Sequence, residues 1–250
     1  MSMNIKTICE TLASVSSAAL PIIFNGSPES VMFAATLPPV LTKAFEAIGQ
    51  DFLDLKLTNK DKHRFGNSFI NSLVVIKSNI DHGQNFRTDG LLDNNLVESF
   101  EDILEATFKE AIADCEAKKS KFYGNFIGNL PFAPQIDYSY SFTIQRIIRN
   151  LSYKELCIIQ YFYNKGILKL QNFDSLKNNG KNVEKNELAF YFKDLLSLGV
   201  IHKAPPMGVQ YELDNMKLSP LGNNICTLLN LQEIDKTEIE SIGTLITKYQ

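Results

Sequence analysis

The feature that most constrains the fold is an apolar stripe with the period of an α-helix. From Asp93 onward, its members follow one another at steps of three and four residues: Leu96, Phe100, Ile103, Leu104, Thr107, Phe108, Ile112 and Cys115. Charged residues fill most of the opposite face, which is typical of a helix that buries one side. With 44% hydrophobic and 21% charged residues, the 250-residue chain can bury a sizeable core. We therefore predict a mainly α protein.

Start and stop signals divide the rest of the chain into further helices. Capping residues or proline mark five starts, at Ser27 with Pro28, Thr58 with Asp61, Ser152 with Glu155, Ser219 with Pro220, and Asp235 with Glu238. Another helix is predicted over residues 183–198, with Gly199 as its C-cap. Gly124 and Gly128 lie four residues apart, so on a helix they would allow a neighbouring element to approach closely.

A stretch with two prolines indicates where the chain divides into domains. Pro131 and Pro134 interrupt the helical pattern, and a new helix is predicted from near Asp137 to Asn150. We place the boundary between about residues 129 and 137. The prediction is a helical domain over residues 1–130 and a second domain over residues 137–250.

Two apolar runs near the N-terminus raise the question of membrane insertion. They cover residues 12–24 and 31–41, and prolines interrupt both. A membrane helix needs about 18 uninterrupted apolar residues, and neither run reaches that length. We interpret both runs as packed helices of a cytoplasmic protein. A membrane-acting effector that inserts residues 4–48 after a trigger remains an alternative.

The C-terminal part of the chain contains a signal for a small β-hairpin. Two extended runs, over residues 200–203 and 209–213, flank the turn sequence Pro205-Pro206-Met207-Gly208. The order helix, helix, helix, hairpin, helix resembles that of a winged-helix domain, a variant of the helix-turn-helix. The junction over residues 194–225 is similar to the same junction in many winged-helix modules. The resemblance covers about residues 151–230 and implies that residues 183–198 form the recognition helix.

The wider layout also resembles bacterial proteins of the abortive-infection-alpha type, which are associated with phage defence. The matching pieces are the segment LSYKE at residues 151–155 and the segment LSPLG at residues 218–222. This resemblance carries no active-site residues to the chain. It implies a phage-defence or phage-related component with a helical N-terminal part and a winged-helix-like end.

The balance of charge disfavours nucleic acid as the partner of the C-terminal domain. The formal net charge is -3, and none of the four arginines lies beyond residue 150. From residue 151 onward, 11 lysines are matched by 11 acidic residues. Phosphate binding depends on clustered cations, and base readout leans on Arg or Lys. A solvated surface is favoured, and six lysines are kept as candidate nucleic-acid contacts: Lys165, Lys169, Lys177, Lys181, Lys185 and Lys193.

The sequence carries no catalytic or cofactor-binding pattern. No HExxH, GxSxG or GxxxxGK[ST] motif occurs, and three dispersed histidines lack ligand spacing: His63, His82 and His202. Glu98, Asp102 and Glu105 share a helix face, but the Glu-x-x-His of a di-metal bundle is missing, so we interpret them as a solvated acidic face. The four cysteines form no CxxC pair and are interpreted as reduced core residues. We predict no catalytic, cofactor or metal site.

These observations favour a non-enzymatic protein that interacts with or regulates other proteins, with itself or another polypeptide as partner. A winged-helix DNA-binding regulator is the first alternative, and the membrane-acting effector is the second.

Overall fold

A computed structural model describes residues 37–54, 56–92, 100–171, 183–203 and 213–248. Over these ranges the chain is mainly helical, as predicted, with a small antiparallel sheet. The described helices are α1 (Pro39–Asp54), α2 (Asn59–Asp81), α3 (Phe100–Ala113), α4 (Ser120–Asn129), α5 (Tyr138–Asn150), α6 (Tyr153–Lys165), α7 (Val183–Ser197), α8 (Pro220–Leu228) and α9 (Lys236–Thr247). The described strands are β1 (Ile167–Gln171), β2 (Ile201–Lys203) and β3 (Leu213–Leu218).

The predicted helix starts within the described ranges are confirmed in atomic detail, and the start predicted at Ser27 lies outside those ranges. Thr58 Oγ1 accepts a hydrogen bond from the Asp61 N–H at 3.3 Å, and an Asp61 carboxylate oxygen accepts one from the Thr58 N–H at 3.2 Å. Ser152 and Glu155 form the same reciprocal pair at the start of α6. Side-chain caps also start α8 and α9. The helix predicted from Asp93 is described as α3 from Phe100 onward, and residues 93–99 lie outside the described ranges.

The chain forms two compact units, Met1–Arg149 and Asn150–Gln250. This division lies beyond residues 129–137, where the sequence analysis placed the boundary, so α5 belongs with the first unit. Contacts at the end of α5 explain the difference. Arg149 Nη1 donates to Glu110 Oε1 of α3 at 3.1 Å, and the Arg149 carbonyl oxygen accepts a hydrogen bond from Lys119 Nζ at 3.3 Å. The prolines end a helix here, but they do not end the unit.

Aromatic packing builds the core of the first unit. Phe45 of α1, Phe65 and Phe69 of α2 and Phe108 of α3 have ring centroids 5.2 to 5.7 Å apart in successive pairs. The predicted apolar stripe is buried along α3 from Phe100 to Phe108, and Ile112 is half-buried. It does not extend to Cys115, which is exposed because α3 ends at Ala113. The prediction of a core residue is therefore wrong for Cys115, whereas Cys157 and Cys226 are buried as predicted and Cys9 lies outside the described ranges.

The glycine pair of α4 allows a close approach to α2, as its spacing predicts. A Cβ atom at Gly124 would overlap the carbonyl oxygen of Ser68. A Cβ atom at Gly128 would lie 2.6 Å from Val75 Cβ and 2.7 Å from the Ser72 carbonyl oxygen. These two helices can therefore pack at this distance only because the two positions lack side chains.

A three-stranded antiparallel sheet with the order β1-β3-β2 lies in the second unit. Ile167 of β1 pairs with Lys217, and Ile201 of β2 pairs with Leu218. Strand β2 lies within the first extended run of the predicted hairpin, whereas β3 begins at Leu213, the last residue of the second run, and residues 204–212 lie outside the described ranges. Strand β1 was not predicted, because it is short and follows directly on α6. The chain turns there at Gly166, which has a φ of 76°.

Candidate functional site

The outer face of α7 carries the most exposed large apolar side chain among the described residues. Phe190 is 64% exposed, whereas Leu188, Phe192 and Leu195 of the same helix are fully buried. Phe192 packs edge-on against Phe162 of α6, with ring centroids 5.7 Å apart. Because an α-helix turns by about 100° per residue, burying this apolar side points Phe190 away from the core.

Sequence reasoning did not single out Phe190. The available signal was its position, two residues from Leu188 and two from Phe192. On an α-helix, residues two apart point to nearly opposite sides, so Phe190 faces away from both. Phe190 lies in the run AFYF, in which all four residues are apolar or aromatic. The sequence therefore did not indicate which of them is exposed.

A fixed carboxylate lies beside Phe190. Glu187 Oε1 accepts a hydrogen bond from Lys154 Nζ at 2.7 Å and another from the Tyr191 hydroxyl at 2.6 Å. These bonds, with that of Lys154 the larger, lower the pKa of Glu187 below its usual range. The Lys154 ammonium also lies 6.0 Å from the centroid of the Tyr191 ring. Glu187 is therefore held ionised and in one orientation.

Asp194, one turn of α7 beyond Phe190, lies beside the buried side chain of Glu155. Glu155 Oε2 accepts the Ser152 N–H at 2.7 Å, but Glu155 Oε1 is buried and has no hydrogen-bond partner among the described residues. Burial raises the pKa of Glu155, and the negative charge of Asp194 raises it further against the lowering effect of Ser152. No ion pair to either carboxyl group occurs within the described ranges.

The six candidate lysines are only partly described. Lys165 is exposed at the end of α6, and Lys193 is exposed on α7. Lys169 and Lys185 have described backbone positions, in β1 and α7, but their side chains are outside the description. The other two, Lys177 and Lys181, lie outside the described ranges. A basic surface built from all six therefore stays a prediction.

A second candidate site is a polar cleft of about 470 Å³ in the first unit, where α3 and α5 end. Its lining consists of Lys109, Glu110, Ala113, Asp114, Cys115 and Arg149. Arg149 is bound to Glu110, and Lys109 forms an ion pair with Glu105 one turn away on α3. The cationic and anionic side chains of the lining are thus mostly engaged with one another.

Asp114, which lines this cleft, belongs to a buried ion pair. Lys119 Nζ lies 2.5 Å from Asp114 Oδ2, and the two side chains are 2% and 9% exposed. The Tyr123 hydroxyl donates to the same oxygen at 2.9 Å, and the Glu116 N–H donates to Asp114 Oδ1 at 2.9 Å. Burial, followed by the charge of Asp114, raises the pKa of Tyr123 far above its usual range, so Tyr123 stays a hydrogen-bond donor.

Two cationic side chains donate hydrogen bonds to backbone carbonyl oxygens at the helix ends around the cleft. Arg64 donates to the carbonyl oxygens of Ile112 at 3.0 Å and Cys115 at 3.3 Å, and Lys119 donates to that of Arg149 at 3.3 Å. Cations at helix C-termini bind carbonyls that have no partner within the helix, and they oppose the helix dipole. Both Asp114 oxygens also have partners, so this network ties α3, α4 and α5 together.

Among the described residues, no group of three or more His, Cys, Asp or Glu side chains could hold a metal ion. In the predicted acidic face, Asp102 is exposed and Glu105 is paired with Lys109, while Glu98 lies outside the described ranges.

No family model, curated protein or solved structure matches the chain. The winged-helix and phage-defence resemblances therefore stay predictions. No helix in the described ranges has both the length and the apolar character needed to cross a membrane. Most of the segment 4–48, which the membrane alternative would insert, lies outside those ranges.

Proposed function

We propose that the protein is a non-enzymatic interaction or regulatory protein whose second unit is a winged-helix-like module. In this proposal, the outer face of α7 binds another polypeptide. The exposure of Phe190, at 64%, carries the proposal. Aromatic side chains are enriched at the centres of protein interfaces, where burying one ring contributes a large share of the binding energy.

Part of the expected order of elements supports the winged-helix proposal, because two of the three helices expected before the hairpin, α6 and α7, lie in the described part of the second unit. Helix α6 is followed by β1, α7, the β2–β3 hairpin and α8, and the sheet joins β1 to the hairpin through β3. In helix-turn-helix proteins the second helix of the motif is the one that meets the partner. Helix α7 precedes the hairpin and presents an exposed face, which makes it the counterpart of that recognition helix.

The side chains on α7 favour a polypeptide over nucleic acid as the partner. Glu187 and Asp194 both lie near Phe190, and the second unit contains no arginine. Carboxylates on a helix that enters a groove of DNA would repel the phosphates, and Lys193, the lysine on the same outer face of α7, would not outweigh them. An exposed phenylalanine between charged residues fits an apolar pocket with a polar rim.

The proposal is tested by replacing Phe190 with a photo-crosslinking amino acid in the full chain, expressed in its native host. The matched control places the same amino acid at Gln232, an exposed residue of the same unit. We expect discrete protein adducts at position 190 that are absent at position 232. The proposal fails if position 190 gives no protein adduct, and binding of duplex DNA with a steep salt dependence would then support the DNA-binding alternative.

A further inference from the structure

We infer that the polypeptide bound by α7 is a second copy of this chain, with the two α7 helices parallel and related by a two-fold axis between their Phe190 rings. This inference rests on the proposed function of the outer face of α7. Closed two-fold dimers are the commonest assemblies of soluble proteins, and such an interface must be complementary to itself.

Charged and polar residues on α7 fall on two different flanks of Phe190. The helical period places Glu187 and Asp194 on one flank, and it places Asn186 and Lys193 on the other. Acidic side chains therefore lie along one edge of the exposed face, and the other edge carries an amide and an ammonium group. This division decides which symmetric pairing the face permits.

An antiparallel pairing would be opposed by charge. When two antiparallel helices are related by a two-fold axis, each flank meets the same flank of the other helix in reverse order. Glu187 would then face Asp194 of the second copy, and Asp194 would face Glu187 of the second copy. Four carboxylates would approach along one edge with only the two Lys154 ammonium groups beside them, and the surplus negative charge disfavours this pairing.

A parallel pairing brings opposite charges together. The two-fold axis then runs along the helices, so each flank meets the other flank of the second copy at the same height. Lys193 faces Asp194 of the second copy, and Asn186 faces Glu187 of the second copy. The symmetry repeats each contact once, and the two Phe190 rings meet at the centre.

The unpaired charges of the second unit fit this arrangement. Lys193 has no ion-pair partner among the described residues, although it is exposed next to an acidic residue. Asp194 lies beside Glu155, and no cation in the described ranges forms an ion pair with this carboxyl pair. In the parallel dimer, the Lys193 ammonium group of one copy reaches Asp194 of the other copy, beside Glu155.

Sedimentation equilibrium of the full-length chain, over about 10 µM to about 1 mM, tests the inference. We expect a concentration-dependent dimer that F190A weakens by at least about 30-fold. The K193E variant should weaken the dimer by about tenfold or more, because the introduced carboxylate would face Asp194 of the second copy. The double variant K193E/D194K restores opposite charges across the axis, so its dimer should return to within about threefold of the wild type.

The control is K236E, which makes the same charge change on an exposed position of α9 and should leave the dimer unchanged. All these positions are solvent-exposed or half-exposed, and thermal unfolding verifies that each variant folds. A chain that stays monomeric, or a double variant without rescue, overturns the inference. Photo-crosslinks from position 190 to a different protein would overturn it too, yet they would leave the proposed function standing.

Discussion

Buried charged groups in this protein differ sharply in how well they are satisfied. Asp114 has a partner for each oxygen, one of them the buried ammonium of Lys119. Glu155 is more deeply buried, but one of its oxygens has no partner among the described residues, and the like-charged Asp194 lies beside it. A buried carboxyl group without a compensating partner favours its neutral form, so this position makes stability depend on pH.

The E155Q variant should show this dependence. The pKa of Glu155 is raised in the folded protein, so its contribution to stability is present below its unfolded pKa and is lost as the pH rises through the folded pKa. Glutamine keeps the capping box but cannot ionise. We therefore expect the melting temperature of E155Q to gain on the wild type as the pH rises from about 4 to about 8.

Asp61 provides a control of opposite sign in the other capping box. Its hydrogen bond with Thr58 lowers the pKa of Asp61, so its stabilising contribution is present above its unfolded pKa and is lost as the pH falls. The deficit of D61N against the wild type should shrink at acidic pH. Melting curves of E155Q that run parallel to the wild type at every pH would contradict the account of Glu155.

At the scale of elements, the described helices are held by contacts that permit little substitution. The contact between α2 and α4 depends on Gly124 and Gly128, which let backbone meet backbone and side-chain atoms directly. The second unit has a comparable close contact, because a Cβ at Gly222 of α8 would overlap the carbonyl oxygen of Val200, the residue before β2. Backbone atoms cannot move aside as the end of a side chain can, so an added methyl group must separate the elements.

The G124A variant is expected to destabilise the first unit by about 2 kcal/mol, because the new methyl group would overlap the Ser68 carbonyl oxygen. Gly49 of α1 is the matched control, since a Cβ there would meet nothing within 4 Å. The G49A variant should be neutral or stabilising by up to about 1 kcal/mol, because alanine favours the helix. Chemical denaturation measures both, and equal effects of the two variants would refute the close-packing account.

At the scale of the whole molecule, charge is nearly balanced. The chain has a formal net charge of -3, and all of its arginines lie in the first unit. Three of them are bound to protein groups: Arg64 to helix carbonyls, Arg87 to Asp89 and to the carbonyls of Leu130 and Ala133, and Arg149 to Glu110. Guanidinium groups that serve internal contacts are not available to grip a polyanion.

We therefore expect the intact protein to pass through a heparin column without retention at about 50 mM salt. An E187K/D194K variant, in which lysines replace two acids of α7, serves as the comparison and should be retained. Duplex DNA in gel-shift experiments provides a second measurement. Retention of the wild type with a steep salt dependence would reverse the preference for a polypeptide partner.

Local signals in the sequence were sufficient for the helices and their starts. Reciprocal capping at Thr58 and Ser152 and the close approach at Gly124 were predicted because each depends on residues a few positions apart. The capping residues set the backbone at a helix start, and the period of the apolar stripe sets which face of a helix is buried.

Contacts between distant segments decided the rest. The division at Arg149 depends on its bonds to α3 and to Lys119, and the exposure of Phe190 depends on which side of α7 meets α6. The Asp114–Lys119 ion pair joins residues whose sequence positions alone indicate no burial. Backbone preference is encoded locally, but burial and pairing depend on what the completed fold places against each side chain, so only the tertiary structure could reveal both candidate sites.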